Sequence, residues 1–207
     1  MAIDELKKVG SSEALLGLAQ RFSFNYDKSI DDREEKEVVA SILIEYKEKS
    51  LPALRTFLKK CHQVQWPVKV LKDLTTDHEI VTWLLEEVDV TEHSFKRENT
   101  EKRVDILSAL KDFQDERIAQ SVAPLLDGQF DDVTCIAAIN LTRSQQGEVG
   151  REKLIQLFLD AETSIRIKSE ILDCFLATGW TVKGFRKAME EALPAGFDLT
   201  REGKIVP

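Results

Sequence analysis

Histidines and cysteines are the side chains of this sequence best suited to bind a transition metal or to act as nucleophiles, and both are scarce. The chain has three of each: His62, His78, His93, Cys61, Cys135 and Cys174. They do not form the Cys-x-x-Cys or Cys/His spacings of a zinc site, and Cys135 and Cys174 lie among apolar residues, which predicts inert core thiols. A glycine-rich phosphate loop and a nucleophile elbow are also missing. The sequence therefore predicts no catalytic residue, no metal site and no cofactor.

The charge of the chain argues against binding to nucleic acid. The sequence has 29 basic and 37 acidic residues, a net charge of −8, whereas nonspecific phosphate binding needs a concentrated positive field. Short basic clusters occur at Lys59 and Lys60, at Lys69 and Lys72, and over residues 97–103. Acidic or apolar residues interrupt each cluster, which is typical of a solvated face.

The sequence contains no pattern that would direct the chain to a membrane. No apolar run approaches the roughly 20 residues that a membrane-spanning helix needs. The first residues, 1–5, lack the charged-then-apolar order of a signal peptide. We therefore expect a cytoplasmic protein without a membrane partner.

Apolar residues recur at the spacing of amphipathic helices along most of the chain. Four stripes follow the i, i+1, i+4, i+5 pattern of a helix with one buried face, within residues 38–46, 80–88, 118–126 and 154–159. The chain has only 9 glycines and 5 prolines, which favours helices over a fold with many turns.

A short phrase recurs along these helices. This phrase consists of a large apolar residue, two variable residues, a fourth residue that is most often apolar, and then a turn. The six copies begin at Leu6, Leu43, Leu71, Leu110, Leu141 and Phe175. The mean interval is about 34 residues, within the range of helical repeats.

A second amphipathic helix is predicted after each copy, so that each repeat is a helix, a tight turn and a helix. These second helices are predicted over residues 13–22, 51–60, 79–88, 116–126, 151–159 and 182–193. A single hairpin cannot bury its apolar stripe, and stacking on neighbouring hairpins buries it. We predict an all-α solenoid of about six helix hairpins as one domain over residues 1–194, followed by a tail or cap over residues 195–207.

The repeats resemble the HEAT family, particularly its bacterial HEAT-like (armadillo-type) members. Residues 102–115 and 133–141 follow the first-helix pattern of that family, and residues 167–175 follow it more loosely. Leu51-Pro52-Ala53-Leu54 matches the phrase that often opens the second helix, where the missing N–H of proline has no partner anyway. The resemblance covers nearly the whole chain and implies a right-handed α-α superhelix. Two repeats depart from it: Pro67 is expected to break and clip the first helix of one, and the Leu6 repeat is expected to be an incomplete end cap.

HEAT-like repeats carry many unrelated functions. A binding scaffold is the leading hypothesis, because stacked hairpins curve and such folds use the concave side, lined by second helices, for extended contacts. We expect another protein to bind there, through outward-facing residues of those helices. The predicted binding residues are Arg55, Lys59, Trp83 and Glu87. On a helical wheel, Trp83 lies roughly 130° from the centre of its apolar stripe, and contact with an adjacent repeat is preferred to a role as a ligand anchor.

Enzymes that share this repeat type provide the alternatives. Deoxyhypusine hydroxylases bind two irons through repeated His-Glu pairs, and the single pair here, His78-Glu79, excludes that site. A bilin-lyase-like or other HEAT-type enzyme stays open, although no motif selects it. A protein similar to the HEAT-like DNA glycosylases is disfavoured by the acidic charge.

Three local features give further expectations. Asp77 is predicted to cap a helix, with His78 in its solvent-facing first turn. Asn140 falls within an apolar stripe, so its amide is expected to bond the backbone of a turn. Leu199 and Ile205 flank Thr-Arg-Glu-Gly, which favours a small hairpin or an extended strand, either as a cap on the last helix pair or as a docking segment.

Overall fold

A computed structural model describes residues 2–26, 29–88, 97–127, 130–145 and 148–207. These residues form twelve α-helices: α1 (Ala2–Val9), α2 (Ser12–Gln20), α3 (Ser29–Glu45), α4 (Leu51–Lys60), α5 (Gln65–Leu74), α6 (Asp77–Glu87), α7 (Arg97–Leu110), α8 (Glu116–Val122), α9 (Asp132–Gln145), α10 (Glu148–Leu159), α11 (Ile165–Thr178) and α12 (Arg186–Ala192). Short 3-10 helices span Arg21–Ser23, Lys47–Ser50 and Ala123–Leu126, and two strands, β1 (Asp198–Leu199) and β2 (Ile205–Val206), follow the last helix. His93 and the side chain of Arg97 lie outside the described part of the chain.

The predicted all-α fold class is confirmed. The odd-numbered helices end at or close to the repeated phrase, and each even-numbered helix lies within or close to a predicted second helix. The agreement is closest at α4, which occupies the predicted residues 51–60. It is poorest at α12, which begins at Arg186 instead of residue 182. The N–H of Val182 donates to the Gly203 carbonyl at 2.8 Å. This segment is therefore hydrogen-bonded to the C-terminal residues and is not part of the helix.

The chain divides into two compact units. In the first, which comprises α1 to α7, helices α2, α4 and α6 pack side by side in one layer, and α3, α5 and α7 pack in a second layer. In the second, which comprises α8 to α12 and both strands, α9 packs on α11, and α10 packs on α8 and α12. Each unit therefore packs alternate helices against each other. The prediction of a single domain over residues 1–194 stays a prediction.

Hydroxyl and carboxylate caps fix where several helices begin. Ser11 and Ser164 each accept a hydrogen bond from the N–H three residues later, Ala14 at 3.2 Å and Ile167 at 3.3 Å, which satisfies a free N–H of the first turn. At α6 the predicted cap is wrong: Thr76 is the N-cap and accepts from the Glu79 N–H. Asp77 is instead the first residue of the helix, where its charge faces the positive end of the helix dipole.

The expected break at Pro67 is also wrong. Helix α5 is continuous over Gln65–Leu74, and Pro67 is its third residue. In the first turn of a helix the N–H groups have no carbonyl partner, so a proline there removes no hydrogen bond. Helix α5 is short because it begins two residues before Pro67, and the proline does not interrupt it.

The C-terminal tail forms a small hairpin, one of the two alternatives that the sequence predicts. Strands β1 and β2 are antiparallel, with Leu199 opposite Ile205. Ile205 is buried, β2 packs on α11, and Thr181 forms a bridge with Lys204. The tail is therefore packed against the last helices of its own unit.

Candidate functional site

The four residues predicted to bind a partner lie on one face of the first unit. Arg55 and Lys59 belong to α4, and Trp83 and Glu87 belong to α6, which packs beside it. The guanidinium of Arg55 lies over the ring of Trp83, 5.3 Å from its centroid. The preferred interpretation of Trp83, contact with an adjacent repeat, agrees with this geometry. The face formed by Arg55, Lys59, Trp83, Glu86 and Glu87 is called the α4–α6 surface below.

Acidic residues of α6 pair with Arg55 of this surface and with Lys102 of the neighbouring helix α7. Arg55 pairs with Glu86 at 3.0 Å while about half of each side chain stays exposed. Glu87 pairs with Lys102 of α7 at 2.7 Å, and the same ammonium donates to the Lys59 carbonyl at 3.0 Å. The sequence prediction missed Glu86 and Lys102. Glu86 could have been found from its place beside Glu87 on α6, whereas no sequence signal brings Lys102 to α4.

A buried ion cluster lies at the junction of α2 and α3. Arg21 pairs with Asp32 at 2.6 Å and with Glu35 at 2.8 Å, and Lys36 pairs with Asp32 at 2.8 Å. Lys36 is only 2% exposed and also donates to the Asn25 side chain at 2.6 Å. Hydrogen bonds from Lys36 and then Arg21 lower the pKa of Asp32 to about 2. Since its charges are mutually satisfied, the cluster is suited to hold α3 against α2.

The lysines of α5 belong to a charge-balanced cleft. Lys69 pairs with Glu37 at 2.7 Å, and Lys72 pairs with Asp112 at 2.8 Å. Their ammonium groups also lie over aromatic rings, those of Trp66 and Phe113 respectively. Lys69 and Lys72 were predicted to form a solvated face, and the structure adds that both are ion-paired. The cleft of about 390 Å³ that they line therefore presents no unbalanced lysine charge to a ligand.

Asn140 differs from its prediction. Its Nδ2 donates to the Ile136 carbonyl at 3.0 Å, one turn back in the same helix, and to Glu170 of α11 at 2.9 Å. The expected bond to a turn is wrong because Glu170 lies within reach on the neighbouring helix. Asn140 thus links α9 to α11.

All three cysteines are buried, as predicted for Cys135 and Cys174. Burial raises the pKa of each thiol to about 11. We expect Ellman's reagent at pH 8 to label the native protein roughly two orders of magnitude more slowly than free cysteine, because the thiolate is the reactive form. Three thiols should react at once in denaturant. A native thiol that reacts as fast as free cysteine would contradict the structure.

The described residues contain no group of three or more His, Cys, Asp or Glu side chains placed to hold a metal ion. His78 is exposed in the first turn of α6, as predicted. Within the same described ranges, no helix has both the length and the apolar character needed to cross a bilayer. Comparison with protein-family models, with curated proteins and with solved structures finds no match.

Proposed function

We propose that this protein is a HEAT-like interaction scaffold that binds another protein through the α4–α6 surface. The observation that carries the proposal is the cation–π pair of Arg55 and Trp83. Trp and Arg are enriched among the few residues that dominate binding energy at protein interfaces. Here the pair is held in place by Glu86, with Arg55 still 45% exposed, so a partner would lose little side-chain entropy on binding it.

The packing of alternate helices supports the repeat architecture. Helix hairpins that stack place their first helices in one layer and their second helices in another. Helices α2, α4 and α6 share one layer and α3, α5 and α7 share the other. Since α4 and α6 are second helices, the Arg55–Trp83 pair lies in the layer that solenoids of this kind use for extended contacts.

Affinity capture from the native host, followed by mass spectrometry, tests the proposal. The bait is the full chain, compared with the double variant Arg55→Ala/Trp83→Ala. We expect at least one partner whose binding to the double variant is weaker by roughly thirtyfold or more, the factor for a hot spot of 2 kcal/mol. Titration of that partner, once purified, measures the factor.

A matched control uses the other unit. Arg166 is exposed and Ile165 is 85% exposed, so Arg166→Ala/Ile165→Ala removes one cation and one large side chain from a different surface. This control should bind the partner as the native chain does. Equal capture by both double variants would contradict the proposal, as would a purified protein that carries a chromophore and no protein partner.

A further inference from the structure

A small apolar pocket opens beside α4 on the side away from α6. It has a volume of about 200 Å³ and is lined by Leu16 and Gln20 of α2, by Ser23, and by Phe57, Lys60 and Cys61. Ligand sites for whole small molecules occupy about 300–1,000 Å³, whereas a cavity of about 150 Å³ accepts a single benzene ring. The pocket therefore fits one apolar side chain and not a complete small-molecule ligand.

Two exposed lysines, Lys59 and Lys60, end helix α4, and Lys60 lines this pocket. Within the described ranges no ion pair joins either ammonium to a carboxylate, and Glu86 and Glu87 of α6 pair with Arg55 and Lys102 instead. Lys59 and Lys60 differ in this from Lys69, Lys72 and Lys102, whose ammonium groups each bind an acidic side chain. On a protein of net charge −8, this pair is a local site of unbalanced positive charge.

The pocket and the Arg55–Trp83 pair flank the same exposed face of α4. Helix α4 packs between α2 and α6. Arg55 lies on the α6 side, where it contacts Trp83, and Lys60 lies on the α2 side, where it lines the pocket. At 100° per residue, Lys59 falls between Arg55 and Lys60 on the helix. A segment laid across α4 would therefore meet an aromatic ring, then ammonium groups and then an apolar pocket.

We infer that this face binds an acidic peptide segment that carries one apolar anchor. The anchor, an aliphatic or aromatic side chain, fills the pocket against Leu16 and Phe57. Carboxylates next to the anchor pair with Lys59 and Lys60. The inference rests on the proposed function, and it specifies the chemistry of the partner.

A random peptide library displayed on phage and selected against the immobilised full chain tests this inference. We expect the enriched sequences to combine Asp or Glu with a Leu, Ile, Phe or Trp residue. Labelled peptides made from these sequences are then titrated by fluorescence anisotropy. Ser23→Trp, which fills the pocket from an exposed position, should weaken binding at least tenfold. Lys59→Gln/Lys60→Gln should weaken it by about tenfold and reduce its dependence on salt.

Two further variants make the result specific. Gln20→Trp closes the same pocket from α2 and replaces Ser23→Trp if that variant fails to fold, as judged by circular dichroism. Lys183→Gln changes one exposed lysine in the other unit and should leave binding unchanged. Enriched peptides that are basic or lack an anchor would overturn the inference, and so would a lack of enrichment or full binding to both pocket-filling variants.

The failure of this inference is distinguishable from the failure of the proposed function. A host partner that needs Arg55 and Trp83, but binds equally to the pocket-filling and lysine variants, would refute the acidic peptide and leave the scaffold standing. If selected peptides need the pocket but no host partner is captured through Arg55 and Trp83, the proposed function is refuted and the acidic peptide site stands.

Discussion

Replacement of Phe22 by alanine is expected to lower the free energy of unfolding by about 3–5 kcal/mol. Phe22 is completely buried. Its ring stacks on Trp66 at a centroid distance of 5.8 Å and meets the edge of Phe57 at 6.3 Å. The substitution therefore removes a ring that joins three helical segments of the first unit, and the cavity left behind adds to the lost transfer energy. Urea unfolding followed by tryptophan fluorescence and circular dichroism measures the change.

The chain supplies a matched control two residues further on. Phe24 is 61% exposed, so Phe24→Ala removes the same side chain from solvent-exposed surface and should change stability by no more than about 0.5 kcal/mol. Because the chain has two compact units, loss of stability in the first unit can appear as a separate transition. Similar effects of the two substitutions would contradict the packing of Phe22.

The sequence could predict the helices because their apolar spacing is local. Four residues of α4 are buried, Ala53, Leu54, Phe57 and Leu58, and they are spaced as one helix face requires. The outward placement of Arg55, which is exposed, and of Trp83, which is half-buried, followed from the same spacing. Their direct contact depends on the packing of α4 beside α6, and helical spacing within one helix does not contain that information.

The spacing places Phe22 at the end of the predicted helix over residues 13–22 and leaves Phe24 beyond it, but it does not identify the rings that surround Phe22. Those rings belong to Trp66 and Phe57, which are distant in sequence. The same limit applies to Asn140, whose partner Glu170 lies on another helix, α11. Contacts of this kind are set by how helices lie against each other, and a single sequence does not encode them in its spacing.

The sequence also did not predict the ion cluster of α3, because charged residues near the start of a helix are usually interpreted as solvent-exposed. Replacement of Lys36 by methionine is expected to destabilise the protein by roughly 3 kcal/mol at neutral pH, the usual effect of removing one partner from a buried ion pair. Methionine keeps most of the apolar stem but leaves Asp32 and Asn25 without the ammonium. Lys49→Met, at an exposed lysine, is the control and should be nearly neutral.

The pH dependence of this stability difference tests whether loss of the ion pair between Lys36 and Asp32 causes the destabilisation. The pKa of Asp32 is lowered to about 2 in the folded protein, first by Lys36 and then by Arg21, against about 3.9 in an unfolded chain. A lowered carboxyl pKa stabilises the fold above the unfolded value, and this contribution is lost as the pH falls through the folded value. The stability difference between native chain and Lys36→Met should therefore be full above pH 4 and shrink from about pH 4 to pH 2. Urea unfolding at pH 7, 4 and 2.5 measures it, and a difference that stays constant over this range would assign the loss to packing instead of charge.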